Sequence, residues 1–203
     1  MTNVSNEKCR VDPKTITTRI VQTPDDFAMA MAIRAAVFLA EEDNITYRDE
    51  FGGNDFAATH ILACVDGDPA GVIRCRWFAD FVVLERVGIR RRYRSFQVFQ
   101  ALARAAIDLA RKKGYHMVTG RPRLESAILW RRLRGNPSGP SIRMYRGTLQ
   151  PMIIPVAVKN GDERISSEFL GDSDFEDMIA QQEGNWDFGL LRKSLGRRVL
   201  AAE

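Results

Sequence analysis

The sequence is short of the residues that build metal centres and disulfide frameworks. Three cysteines and two histidines are spread over 203 residues. Cys9, Cys64 and Cys75 are odd in number and far apart, with no Cys-x-x-Cys pair, which argues against a disulfide scaffold. With only His60 and His116 to add, a zinc site would need an unusual ligand set. Buried structural thiols are the simpler reading, and no metal is expected. Long apolar runs are missing too: stretches such as Phe81–Leu84 and Met152–Val158 fall far below the ~20 residues of a membrane span. Residues 1–14 are polar and hold no apolar h-region, so a flexible leader and a cytoplasmic address are expected. The sequence shows no internal repeat, helix-turn-helix, zinc-finger or RNA-recognition motif, which counts against a nucleic-acid partner.

What is present suits one globular domain: 45% apolar and 28% charged residues. Net charge is +4 but unevenly placed. Between Arg86 and Arg123 stand eleven basic residues and one acid, Asp108, so that window carries +10 and the remainder −6. Such a field attracts a phosphorylated cofactor, an acidic carrier protein or nucleic acid, unless it is simply a solvated basic face.

Hydrophobic period and punctuation predict the elements. Ile16–Val21 alternates as a strand. Thr23-Pro-Asp-Asp opens a helix reaching about Glu41, with Phe27, Ala30, Ile33, Val37 and Phe38 inward. Residues 42–59 read as a loop with at most a short helix. His60–Val65 and Ala70–Trp77 form a hairpin across Asp66-Gly67-Asp68. Phe81–Ile89 is a strand whose Phe-Val-Val-Leu start predicts burial on both faces. A helix follows with Phe96, Phe99, Leu102, Ala103, Ala106, Ile107 and Ala110 at helical spacing, closed by Gly114. Tyr115–Thr119 is a strand, Leu124–Leu133 a helix, and Ile142–Leu149 with Met152–Val158 a late pair of strands. The tail from Ser173 is expected to be mostly helical and to pack on the domain. The order predicts an α/β domain, residues 15–160, with a mostly antiparallel mixed sheet flanked by helices and a helical extension over 161–203.

One stretch carries a family resemblance. Leu84-Glu-Arg-Val-Gly-Ile-Arg-Arg-Arg-Tyr-Arg-Ser-Phe-Gln-Val-Phe-Gln-Ala-Leu, with Lys113-Gly-Tyr a helix later, resembles the N-acetyltransferase-like (GNAT) superfamily. There an Arg-x-x-Gly-x-Gly/Ala loop opens a helix whose N–H groups hold the pyrophosphate of coenzyme A. Arg94 is kept, while Gln97 and Phe99 stand where the glycines belong. Ala127-x-x-Trp130-x-x-Leu-x-Gly resembles the segment that carries a tyrosine general acid, with tryptophan in the tyrosine's place. Arg34-x-x-Val-Phe-x-x-Glu41, Asp49-Glu-Phe, Asp55, His60 and Gly71-x-x-Arg74-x-Arg76 are similar to the branch of acyl-homoserine-lactone and N-acyl amino acid synthases.

The resemblance implies a GNAT-like acyl-CoA N-acyltransferase fold and acyl transfer from a thioester to an amine. Acyl-CoA or a phosphopantetheine-linked acyl group would be the substrate, with no permanently bound cofactor. Glu85 is the candidate base, or else a structural partner of Arg86; Tyr145 is the candidate proton donor. Val87, Ile89, Arg94, Ser95, Phe96, Gln97, Val98 and Phe99 are the candidate donor-binding residues. Arg34, Phe38, Arg74 and Arg76 are candidates for the acceptor, the arginines for its carboxylate. Arg34 would alternatively face solvent or pair with Asp49, Glu50 or Asp55, and His60 reads best as a structural histidine. The bulk of Gln97 and Phe99 predicts a hindered pyrophosphate cradle, so acyl carrier protein is expected to serve at least as well as acyl-coenzyme A. The alternative is an inactive scaffold that binds nucleic acid or a regulatory partner through Arg90–Arg94, Arg131, Arg132 and Arg134.

Overall fold

A computed structural model describes residues 15–41, 46–144 and 147–157. Among the described residues seven strands form one sheet. β1 (Ile16–Ile20), β2 (Thr59–Val65), β3 (Asp68–Trp77) and β4 (Val82–Ile89) make an antiparallel meander. Asp66 (φ 51°) and Gly67 (φ 84°) take the left-handed backbone that a two-residue hairpin needs, which is why Asp-Gly stands there. β5 (Met117–Gly120) then pairs with β4 in parallel, across the helix α3 (Phe96–Lys112). A parallel neighbour needs a crossover, and the amphipathic α3 supplies it. β9 (Met152–Pro155) pairs antiparallel with β5, and the two-residue β6 (Asn136–Pro137) lies outside it. The expected α/β sheet, mixed and mostly antiparallel, is therefore what forms.

The two sheet faces carry different helices. Val98, Phe99, Leu102, Ala103, Ala106 and Ala110 of α3 recur at helical spacing and bury against Ile61, Ile73, Leu84 and Val118. α4 (Ala127–Arg131) adds Ala127 and Trp130 to that core. On the other face α1 (Pro24–Arg34) buries Ala30 and Ile33, with Val37 beyond it, against Leu62 and Val72. Thr23 caps α1 by accepting from the Asp26 N–H at 3.1 Å. α2 (Tyr47–Glu50) is one capped turn within the predicted loop.

Three expectations are corrected. The first helix does not run on to Glu41 as α: a π-helical turn over Ala35–Leu39 follows α1. β4 is not buried on both faces from its start, since Val82 and Leu84 are buried while Val83 and Glu85 are only partly so. The late strands do not pair with each other. β7 (Ile142–Met144) and β8 (Gly147–Leu149) form their own small hairpin, and β9 joins the main sheet. The expected leader and helical extension fall outside the described residues.

Gly114 ends α3 with φ 83° in open space, so only backbone strain opposes a side chain there. Gly114→Ala is expected to lower unfolding free energy by about 1–2 kcal/mol without changing the denaturant slope, as read by urea titration.

Candidate active site

A helix, a loop and two strands meet in a cluster of seven charged side chains. Arg34 lies on the inward face of α1, four residues after Ala30, and its side chain is 0% exposed. Its Nε donates to Glu50 Oε1 at 2.6 Å, its Nη1 to Asp55 Oδ1 at 2.5 Å and its Nη2 to the Glu50 carbonyl at 2.5 Å. The same Asp55 oxygen accepts from Arg74 of β3. Arg74 continues to Glu85 of β4, Nη2 to Oε1 at 2.9 Å, because the two residues are register partners. Arg76 Nε stands 3.7 Å from the same Glu85 oxygen. Arg86 closes the cluster, with Nε 3.0 Å from Glu50 Oε2 and Nη2 donating to the Asp49 carbonyl at 2.7 Å.

A defect in β4 makes this geometry. Arg74 faces Glu85 and Val72 faces Gly88, so Arg86 and Val87 together oppose the single residue Ile73. That is a β-bulge, and Arg86 sits in it at φ 50°, a left-handed backbone that non-glycine residues rarely adopt. Simple alternation would send Arg86 to the face opposite Glu85. The bulge instead lets both side chains reach the α1 side, and the contacts to Glu50 and the Asp49 carbonyl hold the strained residue in place.

Burial and pairing set the charge states. Burial pushes the Glu50 carboxyl above the usual range, against the pull of Arg86 and Arg34. Burial would raise Asp55 as well, but Arg34 and Arg74 outweigh it and hold that carboxyl below its ordinary value. His60, directly across the sheet from Arg74, is buried, which lowers its pKa; its Nε2 donates to the Asp55 carbonyl at 3.0 Å. Nε2 therefore carries a proton, and among the described residues Nδ1 has no hydrogen-bond partner. Cys75, whose thiol burial pushes up to about 12, is no nucleophile.

The cluster is sealed at Arg34 and Glu50 and opens at Glu85, whose side chain is 26% exposed. Among the described residues the contacts to Glu85 fall on Oε1, which leaves Oε2 to accept a proton. Beside that opening β4 and β5 part: their pairing ends at Leu84 with Gly120, one residue before Glu85. The Arg90 N–H is used on the β3 side, at the Ala70 carbonyl. Alternation therefore aims the N–H groups of Ile89 and Val87 toward the side that β5 has left. Phe38, carried by the π-helical turn, covers this strand, its Cε2 only 3.3 Å from where a Cβ on Gly88 would lie.

The donor-loop residues divide. Ser95 caps α3, its Oγ accepting from the Val98 N–H at 3.3 Å while its carbonyl takes the Phe99 N–H. The N–H groups of Phe96 and Gln97 have no intrahelical acceptor, as at any helix start. Gln97 is exposed, but Val98 and Phe99 are buried in the core. Phe99 therefore does not obstruct the loop, which corrects the hindrance expected from its bulk. Arg94 is bound to Glu41 at 2.6 Å and to the Ile89 carbonyl at 3.0 Å. Arg90 and Tyr93 both reach Asp68, so the loop is tied to the β2–β3 turn. Trp130 lies in the core, and Tyr145 falls outside the described residues.

The structure thus gathers Phe38, Arg74, Arg76, Glu85, Val87 and Ile89 at one place. Arg34 is present but spent on Glu50 and Asp55, the pairing that its sequence left open. Arg86 as a partner of Glu50 was not foreseen. No sequence signal marks a bulge at Arg86: Val82, Leu84 and Gly88 are spaced as in an unbroken strand, yet Leu84 packs in the α3-side core while Gly88 faces Phe38 and Val37 on the α1 side.

A model of the Acetyltransferase (GNAT) family matches residues 27–135, more than half of the 203 positions, and the chain belongs to that family. Solved structures share its fold. Escherichia coli ElaA is 18% identical with a TM-score of 0.61, over 68% of this chain and 99% of ElaA. FeeM, an N-acyl amino acid synthase from uncultured soil microbes, is 10% identical with a TM-score of 0.57, over 71% of this chain and 92% of FeeM. The AHL synthase LasI is 11% identical with a TM-score of 0.58, again over 71% and 92%. A search of curated proteins finds no sequence match.

Asp55 is the tie between Arg34 and Arg74. Removing one partner of a buried ion pair leaves an uncompensated charge, so Asp55→Asn is expected to cost about 3–5 kcal/mol at neutral pH in urea unfolding. The native Asp55 carboxyl is depressed, so its contribution is complete above the ordinary carboxylate range and is lost as pH falls through the native value. The stability of the variant should accordingly fall less steeply on acidification than that of the wild type.

Proposed function

We propose that this protein is an N-acyltransferase that moves an acyl group from a thioester donor to the amine of a small, carboxylate-bearing acceptor. Family membership supports acyl transfer, with the thioester as a substrate rather than a resident cofactor. The observation that carries the acceptor reading is a charge imbalance. The cluster holds four guanidiniums, Arg34, Arg74, Arg76 and Arg86, against three carboxylates, Glu50, Asp55 and Glu85. Its open end is the end with the loosest cation, Arg76. An acceptor carboxylate there restores balance, and a planar guanidinium suits it.

The chemistry follows from placement. The acceptor amine, anchored through its carboxylate at Arg76, lies beside Glu85. Oε2 of Glu85 takes a proton as the nitrogen attacks the thioester carbon. The N–H groups of Val87 and Ile89 hold the donor along the strand edge that β5 leaves free. The C–N bond forms, the C–S bond breaks, and the thiolate leaves to be protonated; Tyr145 is the proposed donor of that proton. Arg34 is a positioning residue in this scheme, acting through Asp55 and Arg74 on Glu85.

Two donor classes fit. The N–H groups of Phe96 and Gln97, which have no acceptor within the helix, suit the pyrophosphate of coenzyme A. Exposed Arg91, Arg92, Arg131 and Arg132 around the same helix start, the last stacked on Phe96 at 4.9 Å, suit an acidic carrier protein.

Steady-state kinetics test the roles. Glu85→Gln is expected to lower kcat by about 10²–10⁴-fold at neutral pH with donor affinity retained. Arg76→Met is expected to raise the acceptor KM by about ten- to a hundredfold, from the loss of ~1.5–3 kcal/mol, and to leave the donor KM in place. An unchanged kcat in the first variant, or equal shifts of both KM values in the second, would overturn these assignments.

A further inference from the structure

On the α3 side of the fork between β4 and β5 lies an apolar seam. It is lined by Ile73, Leu84, Phe99, Ala103, Ile154 and Trp130 among others, all apolar, and it is closely packed, with no room for a water molecule. Leu84 immediately precedes Glu85, so the seam begins one residue from the proposed reacting centre, on the opposite face of the sheet.

Trp130 decides what the seam can hold. The edge of its indole lies against Gly120, the last β5 residue paired with β4. A Cβ at Gly120 would sit 2.2 Å from Trp130 Cη2, 2.7 Å from Cζ2 and 2.8 Å from the Leu84 carbonyl oxygen. Only glycine fits there, and the indole occupies the hollow that it leaves. The ring therefore stands where the strands part. An acyl chain that extends from a thioester on β4 toward the core meets it first. A small acyl group stops short of the indole, whereas a long chain must displace it from a close-packed core. Without the indole, the seam would become an apolar cavity of the kind that stays dry and takes apolar ligands.

We propose that Trp130 is the acyl-length gate of this protein: it restricts the donor to acetyl and other short acyl groups, and its removal admits longer chains. The inference rests on the acyl-transfer reading. The experiment compares acetyl-, butyryl- and octanoyl-coenzyme A with wild type, Trp130→Leu, Trp130→Ala and the exposed control Ile128→Ala. Thiol release reports turnover, and calorimetry reports binding independently of turnover. The expected wild-type result is at least about tenfold lower kcat/KM for octanoyl- than for acetyl-coenzyme A. That ratio should move toward or past unity in the Trp130 variants and stay put in Ile128→Ala. Should Trp130→Ala fail to fold, Trp130→Leu retains part of the volume and supplies the same comparison.

Equal use of both chain lengths by the wild type, or an unaltered ratio in folded Trp130 variants, would overturn the gate. If no donor is turned over, the acyl-transfer reading fails on its own, and calorimetry still decides the gate. Discrimination against the octanoyl donor that disappears in Trp130→Leu would support it, and discrimination that persists would overturn it. Absence of binding by either donor would overturn it as well.

Discussion

A guanidinium placed on the inward face of a helix with no exposure to water has to be matched by carboxylates, and the site around Arg34 is organised by that demand. Glu50 and Asp55 come from the α2 segment and the turn after it, a stretch whose Phe51 ring lies under the Arg34 guanidinium and whose Phe56 stacks on Phe27 of α1. Their bonds to Arg34 fix that segment against α1. Asp55 passes the constraint to Arg74 on β3, and Arg74 passes it to Glu85 on β4. A helix, a loop and two strands that already share apolar packing and sheet pairing are thus held in one further mutual arrangement by ions. Such pairs add little net stability compared with apolar replacements, but they penalise any other arrangement of their partners. The candidate base inherits its position from this chain of contacts.

The second constraint is the bulge at Arg86. One extra residue in β4 turns the strand so that Glu85 and Arg86 both serve the cluster, and the strand then leaves β5 after Leu84. The fork so created exposes backbone N–H groups on one side and is filled by Trp130 on the other. Polar recognition and apolar exclusion lie on the two faces of a single strand. This gives a physical reason for the left-handed residue at the centre of the site: its strain is offset by contacts to Glu50 and the Asp49 carbonyl.

Much of the fold was legible because it is encoded by period and punctuation. Asp66-Gly67 gave the hairpin, the Phe96–Ala110 pattern gave α3, and Gly114 gave its end. The core position of Phe99 followed from the same helical period, although its alignment with a family glycine suggested an obstacle. Long-range and non-repeating features were not legible. The change from α to π winding at Ala35 leaves no mark, because apolar residues continue at similar spacing. The two-residue β6 carries a proline and no strand pattern. Arg34 read either as a ligand for the acceptor, since a guanidinium suits a carboxylate, or as a partner of Asp49, Glu50 or Asp55, and the fold selects Glu50 and Asp55. The order of candidate residues along β3 and β4 was readable; which of them remained free to bind was not.

The spare positive charge at the open end of the cluster is the centre of the functional account, and matched acceptors test it directly. Primary amines with and without an α-carboxylate, otherwise identical, should be incubated with the protein and with short-chain acyl-coenzyme A or acyl carrier protein. Acylated product is then measured by mass spectrometry. The account predicts N-acylated product from the carboxylate-bearing member of each pair and little from its partner. Equal acylation of both members, or none with either donor, would contradict it.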